Sequence, residues 1–189
     1  MTRFSRLMMF LVFLIGVVLI LMIIFGRGGK TENDKIVKAT RVFSTVDYVN
    51  SNSYAVTTIS GPIVGNDKHN EVRITVTPDK RTIDVIQGYQ GKVVSTKTYP
   101  NNRQAYQEFL HALNRQVFGK ARKTKLTSEG VCATGKRYRF EFYDQGKLIS
   151  DTWAGSCSKG NALSESTLVI KLFKNQITDY NKLTKGLGL

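Results

Sequence analysis

The sequence predicts an α+β fold: an antiparallel sheet meander plus a disulfide-stapled hairpin with two packed helices, preceded by one transmembrane helix. Three observations predict it. An uncharged apolar run starts at Leu7 and ends at Phe25. Short β-branched segments separated by Gly, Pro and Asp turns fill residues 54–99. The chain's 2 cysteines, Cys132 and Cys157, flank a pair of aromatic and β-branched segments. Runs of strands with helices placed after them indicate helices packed on one face of an antiparallel sheet. The expected organisation is a signal-anchor helix over residues 1–26, a polar Gly-rich linker over 27–37 and an extracytoplasmic domain over 38–189.

The apolar run reads LMMFLVFLIGVVLILMIIF. At about 1.5 Å per residue it covers about 28 Å, close to the roughly 30 Å hydrocarbon core. Backbone groups inside lipid must be satisfied within the segment, so the run is expected to be helical. A cleaved signal peptide is the rival. It would carry a shorter apolar region and a small-x-small site, whereas Phe25-Gly26-Arg27-Gly28-Gly29-Lys30 follows here. The sequence therefore points to an uncleaved anchor. Arg3 and Arg6 stand before the run, and Arg27, Lys30, Lys35, Lys38 and Arg41 after it. Counted literally, the positive-inside rule keeps the domain in the cytoplasm, but long domains translocate largely regardless of charge.

Residues 26–34 form the polar exit from the membrane. Val42, Val46 and Val49 recur at helical spacing and suggest a short helix over 38–49. Residues 54–59 are β-branched, and 61–70 read as a loop. Val72, Ile74 and Val76 alternate with Arg73, Thr75 and Thr77, the period-two pattern of a half-buried strand. Pro78-Asp79-Lys80 makes a turn, 82–87 a strand, Gly88-Tyr89-Gln90-Gly91 a turn and 92–99 a further strand. Asn101 or Asn102 caps a helix expected to reach Phe118, with Tyr106, Phe109, Leu110, Leu113 and Val117 on one face and Gly119 ending it. A last helix starts near Ser164, with Leu168, Val169, Leu172, Phe173 and Gln176 on one side. The tail over 177–189 reads as extended.

The cysteines settle the compartment. Segments 136–143 and 148–153 bracket Asp144-Gln145-Gly146-Lys147, the signature of a hairpin. A two-residue turn at Gln145-Gly146, carried outward, leaves Cys132 and Cys157 almost opposite each other at the open end. Cross-strand Cβ atoms about 4.5–5.5 Å apart are near bridging range. The expected Cys132–Cys157 disulfide persists only where the milieu is oxidising, which would place the domain outside the cytoplasm; two free buried thiols in a cytoplasmic domain are the alternative. Two cysteines with His69 and His111 have no recognisable metal-ligand spacing.

With 28 Lys+Arg against 14 Asp+Glu, the formal net charge is +14. That excess attracts nucleic acid, anionic wall polymers and anionic headgroups alike, and it equally serves solubility. Lys120, Arg122, Lys123 and Lys125 form the densest basic run and the candidate anion-binding residues; a solvated loop after a helix end explains them equally well. Residues 136–142 share the aromatic spacing of an RNA-binding strand, but Arg137 stands where that motif has Gly, and alternation gives Tyr138, Phe140 and Phe142 a core face. Trp153, the 1 tryptophan of the chain, is expected to pack beneath the hairpin. His69, in a polar loop, and His111, off its helix's apolar stripe, read as surface residues. No Gly-x-Ser-x-Gly turn, Walker loop or dinucleotide fingerprint appears, so no cofactor and no catalytic residue is predicted.

Four pieces of the chain carry a resemblance. They are Val85-Ile86-Gln87-Gly88-Tyr89-Gln90-Gly91; Tyr106 with Phe109-Leu110-His111-Ala112-Leu113; the Cys132-to-Cys157 hairpin with Trp153; and the tail from Leu172 to Tyr180. The chain resembles an uncharacterised family of small single-pass membrane proteins of Saccharibacteria-type candidate-phyla bacteria. The pattern of the tail has Pro where Thr178 stands here, which bears only on local turn geometry. The resemblance implies a location and a shared fold, with no activity and no functional residues to carry over. Three roles are expected in order: a non-catalytic surface domain docking with envelope proteins or an anionic polymer, a DNA-binding surface protein in uptake, and an enzyme acting on envelope polymers.

Overall fold

The structure, a computed structural model, describes residues 43–116, 118, 125–157, 163 and 166–189. The segment from Leu7 to Phe25 and the linker after it lie outside the described residues. Among those described, no helix is long and apolar enough to cross a membrane.

Six β-branched and aromatic segments pair into one antiparallel sheet. They are β1 (Ser53–Ser60), β2 (Asn70–Val76), β3 (Lys80–Gln87), β4 (Lys92–Pro100), β5 (Arg137–Asp144) and β6 (Lys147–Gly155), in the spatial order β4-β3-β2-β1-β5-β6. The first four strands are the meander that the turn residues predict. The β5–β6 hairpin then adds to the free edge of β1, with Ser53 opposite Asp144 and Ser60 opposite Arg137.

Period-two alternation gives this sheet one apolar face. Ala55, Ile59, Val72, Ile74, Val76, Ile83, Val85, Phe140 and Phe142 are buried on it. Helices α1 (Arg103–Arg115), α3 (Ser166–Lys174) and the one-turn α4 (Tyr180–Leu183) cover that face, with a 3₁₀ turn at Thr45–Tyr48; the one-turn α2 (Ser128–Val131) buries no residue, and its Glu129 reaches Arg137 on the other face. Tyr106, Phe109, Leu110 and Leu113 of α1 meet Val169, Ile170 and Phe173 of α3 over the sheet. Phe118 stands among Phe140, Phe142 and Phe173, with ring centroids 6.2, 6.5 and 6.3 Å away.

Three expectations about the helices change. The Asn102 side chain caps α1 by accepting from the Ala105 amide at 2.9 Å, but the helix stops at Arg115, short of Phe118. The Phe118 amide donates to the Leu113 carbonyl at 3.4 Å, so the chain turns inward and delivers the ring to the core. The inward stripe of α3 is Ser166, Val169, Ile170 and Phe173, while Leu168 is 45% exposed. This stripe has the same period as the expected one, displaced around the helix. The tail is not extended: Ile177 and Tyr180 are buried in the core, and α4 follows directly. Of the short helix expected over 38–49, only the 3₁₀ turn lies among the described residues.

Candidate binding sites around the stapled hairpin

Cys132 and Cys157 form a disulfide, with Cα atoms 5.5 Å apart. Its setting differs from the cross-strand pair that the turn predicts. A bulge between Phe142 and Tyr143 shifts the β5–β6 register, and β5 begins only at Arg137, opposite Gly155. Cys132 instead caps the C-terminus of α2, and Cys157 follows the end of β6. The bond therefore ties a short helix to the hairpin's open end. Lys136 and Ser156 clamp the same corner: the Ser156 amide donates to the Lys136 carbonyl at 2.8 Å, and the Lys136 amide to Ser156 Oγ at 2.9 Å. Gly155 is required there, because a Cβ on it would lie 2.8 Å from Cys132 Cβ.

A groove of about 1130 Å³ opens beside this corner. Gly155, Ser156 and Cys157 form one wall, and Ser166, Lys171 and Lys174 of α3 another; Thr178 to Lys182 close it. Among the described residues, Lys171, Lys174 and Lys182 line it against one carboxylate, Asp179, which Lys97 from β4 already engages. That ion pair holds the Asp179 carboxyl below its ordinary range. Neither Lys171 nor Lys174 pairs with a carboxylate among the described residues. The Lys174 ammonium stands 4.9 Å from the Tyr180 ring centroid. Burial, then the Lys136 charge, pushes it below the usual lysine range. The Tyr180 hydroxyl is buried without a hydrogen-bond partner, and burial pushes its pKa up to about 12.

The sheet face away from α1, α3 and α4, with Thr127, Ser128 and Glu129 at its rim, forms a second recess, of about 840 Å³. Arg139 forks onto Asp151, Nε to Oδ1 at 3.1 Å and a terminal nitrogen to Oδ2 at 2.8 Å, and lies 3.3 Å from Glu141 Oε1. The Asp151 hydrogen bond raises the Arg139 pKa above its ordinary value. The Tyr143 hydroxyl donates to Glu141 at 3.1 Å. Tyr54 and Tyr143, cross-strand neighbours, stack with centroids 4.8 Å apart and planes 9° from parallel. Trp153 also lines this recess, half-buried and opposite Arg139. It does not pack beneath the hairpin, because alternation places it on the same face as Arg139.

His69 is a second correction: it is 1% exposed, not a surface residue. The Tyr89 hydroxyl bonds both the amide and the carbonyl of Val64, which folds the 61–69 loop back, and the two rings stack at 4.0 Å. His69 Nε2 lies 3.2 Å from Glu71 Oε1 and Nδ1 3.3 Å from the Pro62 carbonyl. Ser60 Oγ donates to that same Glu71 oxygen at 2.6 Å. The serine thus meets a carboxylate rather than an imidazole, the wrong order for an activated nucleophile.

His111 is exposed, as its place off the apolar stripe predicts. Phe140 and Phe142 are core residues with Tyr138 packed beside them, so these rings are not free to stack on bases. Of the basic run, Lys120, Arg122 and Lys123 lie outside the described residues; Lys125 is exposed. The groove lysines are not among the residues that the apolar stripe of the last helix singles out. The i, i+3 spacing of Lys171 and Lys174 was the available signal. Among the described residues, no group of three or more His, Cys, Asp or Glu side chains is placed to hold a metal ion. No protein-family model matches the chain, and no curated protein matches it.

Proposed function

We propose that the chain is a membrane-anchored, extracytoplasmic binding domain without catalysis, and that its ligand is an anionic polymer gripped in the lysine groove. One observation carries this reading. Lys171 and Lys174 face a recess in which the one carboxylate among the described residues, Asp179, is already engaged by Lys97, so neither lysine has a carboxylate partner among those residues. An oxyanion entering the groove relieves the repulsion between Lys136 and Lys174. Anchorage rests on the apolar run from Leu7 to Phe25, and the compartment on the disulfide, which cytosolic thiol buffers would reduce. Two carboxylates of the open-face recess, Glu141 and Asp151, are both held by Arg139, which fits a non-catalytic role.

The test is binding of polyphosphate and of duplex DNA to the full-length protein in detergent at several salt concentrations. Each phosphate contact on duplex DNA adds about −0.9 to the slope of log K against log salt, so affinity falls steeply between about 50 and 200 mM. Lys171→Gln with Lys174→Gln lowers that slope by about one to two contacts. A salt-independent affinity, or a slope untouched by the double substitution, contradicts the reading.

A further inference from the structure

The open-face recess differs in chemistry from the lysine groove. Its volume, about 840 Å³, falls in the about 300–1,000 Å³ range of small-ligand sites. Among the described residues its ionised groups nearly balance: Arg73, Arg137 and Arg139 stand against Glu71, Glu129, Glu141 and Asp151. In a chain of net charge +14, this surface does not favour a polyanion. An apolar peptide is no better matched, because it would strip water from those charges without replacing its hydrogen bonds.

What the recess does offer is fixed polar groups beside aromatic rings. Asp151 accepts two bonds from Arg139, and Glu141 accepts from Tyr143, with Arg139 lying 3.3 Å from the same Glu141 oxygen. An ionised carboxylate has about four acceptor sites, so both keep capacity for donors from a ligand. Tyr54, Tyr143 and Trp153 are each half-buried and supply apolar ring surface along the same recess. A matching ligand has a C–H face for the rings, several hydroxyls for the carboxylates and guanidinium, and no net charge.

We infer that the open sheet face binds a neutral saccharide chain, with sugar rings packed on Tyr54, Tyr143 and Trp153 and their hydroxyls bonded to Arg139, Glu141 and Asp151. The rings exclude water from one side of the sugar. The Arg139–Asp151 fork fixes the carboxylate before the ligand arrives, so little side-chain freedom is lost on binding. Hydrogen bonds from neutral hydroxyls to these ionised groups are roughly twice as strong as neutral pairs.

Trp153 is the 1 tryptophan of the chain, so its emission reports on this recess directly. The full-length protein, in a detergent without a sugar headgroup, is titrated with the hexamer of N-acetylglucosamine and with cellohexaose. Binding is read by tryptophan emission and by calorimetry. At least one sugar gives a saturable signal whose midpoint is unchanged between about 50 and 200 mM salt, because no counterions are released. Tyr143→Ala and, separately, the exposed-site change Asp151→Asn each raise that midpoint about tenfold, with far-ultraviolet circular dichroism showing both variants folded. Lys171→Gln with Lys174→Gln leaves it unchanged, which separates this site from the lysine groove. Absence of both signals with both sugars, or a signal from polyphosphate or an apolar peptide alone, overturns the inference.

Discussion

Tyr106 carries its hydroxyl into the core, where it sits 2.9 Å from Ser53 Oγ. Burial pushes its pKa up to about 12, as it does for Tyr180. Tyr138 and Tyr143 are raised by burial as well. Below pH of about 10 these phenols are neutral in both folded and unfolded chains, and their contribution to stability is fully present. Between about pH 10 and 12 the unfolded chain gives up protons that the folded chain keeps, so stability falls as pH rises. Lys174 acts in the opposite sense, since its lowered folded value makes the unfolded chain the better proton binder just below 10.5. Among the described residues, one lysine against four tyrosines leaves the tyrosines dominant. Denaturant midpoints should therefore drop between about pH 9 and pH 11, and Tyr106→Phe should flatten the drop while costing about 1 kcal/mol at neutral pH for its lost hydrogen bond. A midpoint that holds or rises across that interval contradicts this account.

At the scale of elements, local chemistry at two positions decides how well a piece is held. The β5–β6 turn places Gln145 at φ 50° and Gly146 at φ 80°, the left-handed pair that a two-residue hairpin loop requires. Glycine enters that region freely, but glutamine pays a steric cost that asparagine partly avoids. Gln145→Asn should stabilise the domain by about 0.5 kcal/mol, read as a shift in the denaturant midpoint with unchanged slope. The Asn102 cap has the opposite sign: Asn102→Ala leaves the Ala105 amide without its acceptor and should cost about 1 kcal/mol. These two features and all six strands were legible in the sequence, because turn residues and period-two alternation are local signals. The α3 stripe was legible in part: Val169 and Phe173 face inward as the spacing predicts, but Ile170 joins them where Leu168 was expected, because Leu168 and Ile170 flank Val169 and only packing against the sheet chooses between them. The burial of His69 was not legible, since it depends on Tyr89 reaching back from a turn in the next hairpin. Nor was the place of Trp153: the register that the turn alone sets pairs it with the core-facing Tyr138, and the bulge between Phe142 and Tyr143 moves it opposite Arg139 on the other face.

At the scale of the whole molecule, the disulfide and the hydrophobic core hold different parts. The hairpin is fixed to β1 along its whole length, and the aromatic cluster of Phe118, Phe140, Phe142 and Phe173 lies within the sheet-and-helix core. The covalent bond instead joins α2 to the corner at Gly155 and Ser156, one wall of the lysine groove. Reduction should then act unevenly. In the chain-entropy model, a loop with sequence separation 25 is worth about 3 kcal/mol against global unfolding, and the denaturant midpoint should fall accordingly. Under native conditions the sheet should persist, because its strands remain paired and its core remains closed, while the corner opens as a local unit. Polyanion affinity should therefore weaken in the reduced protein, and equally in the Cys132→Ala, Cys157→Ala double variant, while far-ultraviolet circular dichroism is retained. The saccharide response of Trp153 should change less, since Arg139, Glu141, Tyr143 and Asp151 stand on strands paired to β1 or to each other. Equal loss of both responses, or loss of the circular dichroism signal at the reductant concentration that weakens binding, would show that the staple supports the entire fold and not one wall of a site.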